Sequence, residues 1–249
     1  MKLTFVADDY GISEAMNSAI EKTCSGGVIR RVTILPHERC VISRWAKENI
    51  DKIVWGAHLY LTEFEALNPE IYKKQKLYSK NDILKEILLR KITLPDVFNE
   101  FDLQIKKLRE LGIKITFIDS HQNIHAIPII GRLITKIAQK YGLENAIRPV
   151  KQLNFDHKNN LRTIISGFSA RFTGDRSCSR VVINCPGFKK ETLKLQEALR
   201  LWEGFLARVS KKDYNELIVP CHPGISPAEA MIYTSLEFIK LLEKYKAMQ

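Results

Sequence analysis

An α/β fold with a parallel sheet in one domain is what this sequence predicts, and three observations carry that expectation. Short β-rich apolar runs alternate with segments of helical period along most of the chain, the pattern of successive strand–helix units. The 249 residues match the size at which an α/β barrel encloses one core without splitting. Finally, the residues suited to chemistry fall at the C-terminal ends of the apolar runs, the face on which parallel sheets assemble their sites.

The elements follow in order. Residues 2–8 (KLTFVAD) read as a buried strand rather than a leader, because the apolar stretch is too short before two acids intervene. A helix over 13–25 starts at the N-cap Ser13, without the acid three residues on that a capping box needs. A second strand over 28–35, a helix over 40–50 and a third strand over 53–60 come next. Helices over 82–91 and 96–111 start at Asn81-Asp82 and at Leu94-Pro95-Asp96, and Gly112 stops the latter. A fourth strand over 113–119 leads to a helix over 128–141 that stops at Gly142, and then to a short fifth strand over 145–148. The sixth and seventh strands, 179–184 and 216–221, are followed or separated by helices over 190–209 and 227–246. Residues 61–80 and 149–177 show no period, and loops of that length in one domain suit lids or binding loops.

Composition narrows the classes. No stretch reaches the roughly 18 uncharged apolar residues that a membrane span needs. Five cysteines without a CxxC pair argue against a disulfide framework or a structural zinc site and favour a reducing cytoplasm. The net charge of +11 raises the question of a polyanionic partner. The clusters Lys73-Lys74-Gln75-Lys76, Lys189-Lys190 and Lys211-Lys212 carry no interleaved aromatic residues, which argues against nucleic acid.

Asp8 and Asp9 end the first run, His58 lies near the end of the third, and Asp119 and His121 close the fourth. Arg148 ends the fifth and His222 follows the seventh. One carboxylate and two imidazoles suit a divalent ion with open positions, which acidifies water and polarises a carbonyl oxygen. Neighbours on a regular strand point to opposite faces, so Asp8 and Asp9 share a site only where the backbone is irregular. Gly11, closing Asp8-Asp9-Tyr10-Gly11, offers that irregularity. One acid can then hold an ion while the other takes a proton from water. The plainer readings are turn acids for the aspartates, a satisfied core histidine for His58 and a simple turn at His222-Pro223-Gly224. Convergence on one face favours the site.

Four ordered blocks resemble the YdjC/ChbG carbohydrate deacetylase family. They are Ala7-Asp8-Asp9-Tyr10-Gly11-Ile12-Ser13, Gly56-Ala57-His58-Leu59-Tyr60-Leu61-Thr62, Phe117-Ile118-Asp119-Ser120-His121-Gln122-Asn123-Ile124-His125-Ala126-Ile127-Pro128 and Cys221-His222-Pro223-Gly224. The resemblance implies a TIM-like, incomplete barrel of seven strand–helix units spanning residues 1–249. It implies one divalent ion, magnesium or zinc, held by Asp9, His58 and His121, with Asp8 as general base and His222 as the acid for the departing amine. The implied substrate is a small N-acetylated carbohydrate such as an N-acetylglucosamine-containing oligosaccharide, and a homodimer is left open. Asn123 stands where the family commonly has histidine; it can hydrogen-bond a substrate but cannot shuttle a proton.

Other residues complete the expectation. Tyr10 and Tyr60, at strand tips, are expected to offer rings to a sugar face, whereas Trp55 and Phe117 belong to the core. Asp119 is placed to orient His121 or to cap the next helix. His125 either lines the site or packs at a helix start, and Arg148 holds a site acid or the substrate. His37 and His157 are structural or exposed. Cys221 has no base or oxyanion arrangement that would make it a nucleophile. Two alternatives to deacetylation remain: a metal-dependent phosphoesterase, and a sugar-binding homologue with weakened catalysis.

Overall fold

Along β1 (Lys2–Tyr10) the pleat sorts the side chains into two sets. Leu3, Phe5 and Ala7 face the large core beneath the helices, while Val6 joins a small inner cluster with Phe117, Val182 and Ile218. Asp8 continues the inner row and ends at the top of it. The structure, a computed structural model, describes residues 2–72, 79–144, 146–150, 152–154, 180–184, 193–211 and 214–245.

Among the described residues seven strands form one sheet: β1, β2 (Arg31–Ile34), β3 (Val54–Leu59), β4 (Phe117–Ser120), β5 (Gln152–Asn154), β6 (Arg180–Asn184) and β7 (Glu216–Cys221). Their order is β4-β3-β2-β1-β7-β6-β5, and every pairing is parallel. All C-terminal strand ends therefore share one rim. Among the described residues β4 and β5 do not pair with each other, so the barrel is incomplete between them.

The α-helices of the described residues are α1 (Glu14–Ser25), α2 (Arg44–Glu48), α3 (Pro69–Tyr72), α4 (Lys80–Leu88), α5 (Leu94–Glu110), α6 (Pro128–Lys140), α7 (Leu195–Val209), α8 (Pro227–Tyr233) and α9 (Leu236–Lys244). Ser13 caps α1 by accepting from Met16 N, as expected. The caps of α4 and α5 are Ser79 and Thr93, each closing a capping box with an aspartate three residues on, so α4 starts at Lys80, ahead of the expected Asn81-Asp82, and α5 at the expected Leu94. The expected last helix is two, because Ser235 accepts from Phe238 N and starts α9 anew. Outside β1, Phe5 meets the rings of Trp202, Tyr233 and Phe238 at centroid distances of 5.3–5.8 Å.

The expected fifth strand over 145–148 is corrected: only Ile147 bridges Ile118, and the fifth strand is β5, inside a stretch without apparent period. His157, Cys178, Cys185 and most of the expected loop over 149–177 lie outside the described residues.

Candidate metal centre

The rim geometry begins with a fault in β1. Ala7 pairs with Val32 and Tyr10 with Ile34, so three steps on β1 oppose two on β2. One extra residue is accommodated at Asp8-Asp9, where Asp9 takes φ +70. The bulge brings both carboxylates to the inner face and turns Tyr10 to the outer one. Gly11 completes the turn with φ +96; a Cβ there would lie 2.6 Å from Cys40 Sγ and 3.3 Å from Leu35 O. Asn17 Oδ1 accepts from Gly11 N at 2.7 Å, and Asn17 Nδ2 donates to Val41 O at 2.9 Å, fixing the turn from α1.

Asp9, His58 and His121 converge. Asp9 Oδ1 lies 3.3 Å from His58 Nε2 and 3.0 Å from His121 Nδ1. Ligand atoms about 2.0–2.2 Å from one divalent ion stand roughly 3–3.4 Å apart, so these separations fit a shared ion. His58 Nδ1 faces Asp119 Oδ2 at 3.3 Å, and His121 Nε2 faces Glu63 Oε2 at 2.8 Å. Asp119 thus backs His58 rather than His121, because β4 pairs with β3 in a register that sets His58 opposite Asp119.

A second cluster of possible ligands, Asp8, His58 and Asp119, is close by. A guanidinium already occupies it: Arg148 Nη2 donates to Asp8 Oδ1 at 2.7 Å and Nη1 to Asp8 Oδ2 at 2.8 Å, and Nη1 also pairs with Asp119 Oδ2 at 2.5 Å as an ion pair. An ion among these oxygens would meet a buried guanidinium, so the Asp9 cluster is the better cation site.

The protonation energetics follow the same contacts. Burial opposes the Asp9 charge, yet the hydrogen bonds from His121 and His58 outweigh it and hold the carboxyl well below the usual range. Burial also disfavours charge on His58, but Asp119 and Asp9 push it up to about 10. For Asp119, burial is overcome by Arg148 and then His58, and its pKa falls. Nothing comparable rescues His125, which burial lowers to about 4, leaving it neutral. A cation bound at Asp9 would displace the shared proton on His58, as metal binding to imidazole requires.

The remaining expected residues fall in different places. Asp8 Oδ1 also accepts from Thr33 Oγ1 at 2.9 Å, and Asp8 Oδ2 lies 3.9 Å from His222 Nε2. His222, directly after β7, keeps 41% of its side chain exposed at the rim. Arg148 is buried and holds site acids, so of its two expected roles the structure shows the first. Asn123 is half-buried with φ +52, left-handed backbone that asparagine tolerates.

Three expectations are corrected. Tyr10 cannot stack on a sugar: it is fully buried, with its hydroxyl on Glu21 and Ser43 and its ring against Trp55. Tyr60 is equally buried, covered by its own loop, where its hydroxyl donates to Glu65 O and its ring meets Phe64. His125 lines nothing open, since it is buried with Nδ1 2.5 Å from Ser120 Oγ. His37 is structural, as expected, stacked on Phe64 with Nε2 2.9 Å from Gly11 O.

Thr33, Glu63 and Glu229 escaped the sequence reading. Thr33 is a polar residue at an inner position of β2, a signal that alternation could have supplied. Ser226 and Glu229 look like a capping box, and Ser226 Oγ does accept from Glu229 N at 3.3 Å. The Glu229 carboxylate instead turns to His222 N at 2.5 Å, and burial pushes its pKa up. Glu63 stands in an aperiodic loop, where no spacing marks it.

Comparison with known proteins adds the relatives. A family described as YdjC-like protein matches residues 2–246. A carbohydrate deacetylase of Clostridium beijerinckii is 29% identical over 168 residues, 66% of this chain and 66% of its own length. One of Listeria welshimeri is 32% identical over 148 residues, 57% of this chain and 59% of its own length. The aligned region thus spans under two thirds of the length of these relatives. A solved protein of Enterococcus faecalis V583, named for cellobiose-phosphate cleavage, superposes with a TM-score of 0.71 at 20% identity, covering 99% of this chain and 95% of that one. It shares the fold.

Proposed function

Because the chain belongs to the YdjC-like protein family, we propose that it is a metal-dependent hydrolase that removes acetyl groups from small N-acetylated sugars. The relatives named carbohydrate deacetylases support the substrate class. The observation that carries the chemistry is Asp9 Oδ1 standing at ligand spacing from both His58 Nε2 and His121 Nδ1, beside an Asp8 that is held separately. Asp9, His58 and His121 would hold one divalent ion, magnesium or zinc; two imidazoles favour zinc or another transition ion. Such an ion supplies Lewis acidity, which eases deprotonation of a water and polarises the acetyl oxygen.

The chain's own groups do the rest. Arg148 grips Asp8 through both oxygens and fixes its orientation, so that Asp8 Oδ2 can take the proton of the attacking water. His222, exposed at the rim near that oxygen, returns a proton to the sugar nitrogen as the C–N bond breaks. Acetate and a free amino sugar are the products. Glu229 holds the backbone of His222 in place, and Asn123, half-buried just after β4, can offer its amide to a sugar hydroxyl. Cys24 and Cys40 carry free thiols, which suits a reducing compartment, the cytoplasm.

A phosphoesterase fits less well. Asp8, Asp9, Asp119 and Glu63 crowd the site, and its buried cation, Arg148, is engaged with two of them, which disfavours a phosphate. The test is acetate release over a panel of N-acetylated mono- and disaccharides, with metal restored after chelation. Asp8→Asn is expected to retain the ion and lose turnover by orders of magnitude, whereas His58→Ala loses both; an Asp8→Asn chain with full turnover would refute the assignment.

A further inference from the structure

The imidazoles of His58 and His121 turn opposite nitrogens toward Asp9, Nε2 from the former and Nδ1 from the latter. A neutral imidazole carries one N–H, and the group accepting it decides which nitrogen keeps a free lone pair. Asp119 stands at His58 Nδ1; at His121 Nε2 the corresponding group is Glu63, from a different strand's loop.

That loop is built to deliver Glu63. Glu63 takes φ +67, a left-handed conformation that a long side chain adopts only when its surroundings fix it. The fixing comes from α5. Gln104 accepts from Tyr60 N at 3.0 Å and donates to Tyr60 O at 2.8 Å, and Glu100 accepts from Leu67 N at 3.1 Å and Asn68 N at 2.6 Å. Both ends of the segment 60–68 are thereby tied to one helix. Between them, Phe64 sets its ring against His121 at 5.7 Å, and Glu63 uses its second oxygen to accept from Gln122 Nε2. Gln122 and Asn123 are themselves left-handed, with φ +53 and +52, so one carboxylate secures the strained turn that carries His121.

We propose that Glu63 is a positioning residue of the metal centre, which holds the His121 ring and directs its Nδ1 lone pair to the ion. The inference rests on the metal-binding reading of Asp9, His58 and His121. Carboxylates in this position behind a ligand imidazole raise its basicity and fix its orientation, and their loss commonly weakens metal binding by about 10–100-fold.

The test is a titration of the full chain with cobalt(II), followed by its visible absorption, for wild type, Glu63→Gln and Glu63→Gly. Glycine relieves the positive φ, so a purely conformational role predicts that Glu63→Gly keeps its affinity and melts no lower than wild type. A positioning role predicts that both variants bind cobalt about 10–100-fold more weakly, with altered absorption bands, and that Glu63→Asp recovers part of the loss. Both variants binding within about twofold of wild type with an unchanged spectrum would overturn the assignment of Glu63 alone. A wild-type chain that takes up no cobalt overturns the metal reading and this inference with it.

Discussion

Replacing Arg148 with methionine is the perturbation whose size the structure sets most clearly. The guanidinium is 4% exposed and bridges Asp8 and Asp119, themselves 2% and 1% exposed, through contacts of 2.5–2.8 Å. Methionine fills much of the same space but strips Asp8 of its buried counter-charge and leaves Asp119 with His58 alone. Removing one partner from a buried ion pair costs about 3–5 kcal/mol, a large share of the roughly 5–15 kcal/mol that holds a domain folded. At about 2–4 °C per kcal/mol for a chain of this size, the melting temperature should fall by roughly 6–20 °C. Thermal denaturation at pH 7 followed by circular dichroism measures it. Adding Asp8→Asn and Asp119→Asn to the same chain removes the stranded charges and should recover part of the fall. An Arg148→Met chain melting within about 2 °C of wild type would show that the guanidinium does not neutralise these acids.

Tyr10→Phe deletes a buried hydroxyl that touches Glu21 and Ser43 on the side of β1 away from the site. It should lose about 1 kcal/mol in denaturant unfolding and leave acetate release unchanged; a fall in turnover would reopen a role for Tyr10 in the site. Gly11→Ala places a Cβ 2.6 Å from Cys40 Sγ at φ +96 and should cost roughly 1–3 kcal/mol, read from the denaturation midpoint. Asp102 is opposed by burial but held by Lys106, Lys140 and Tyr141, which lower its pKa from 3.8 to about 2. That depression stabilises the fold above about pH 4, and the contribution fades as pH falls toward 2. The melting difference between wild type and Asp102→Asn should therefore shrink between pH 7 and pH 3; a constant difference would contradict it.

The strands whose ends carry chemistry were legible because burial on one face and function at the tip leave both an apolar run and a polar terminus. β7 has the bounds expected of it, and the convergence of Asp9, His58 and His121 follows from their three strand ends. The assignment of Tyr10 to a sugar face failed for a reason in the same bulge, whereas Tyr60 is covered by its own loop. One extra residue in β1 reverses the side-chain parity, so the distortion that brings Asp9 inward also buries Tyr10 outward. Alternation from residue 2 could not show this without the register to β2. The short β5 was illegible because three residues carry no period, and their pairing with β6 is a long-range fact. Glu63 is the extreme case: its place beside His121 depends on a loop tied down by Glu100 and Gln104, 37 and 41 positions later in the chain.

The most direct test of the central claim is anomalous diffraction at the absorption edge of a bound transition ion in crystals of the metal-loaded chain. A single peak within about 2.0–2.3 Å of Asp9 Oδ1, His58 Nε2 and His121 Nδ1 is the predicted result. A peak among Asp8, His58 and Asp119 instead, or none on this rim, would contradict it.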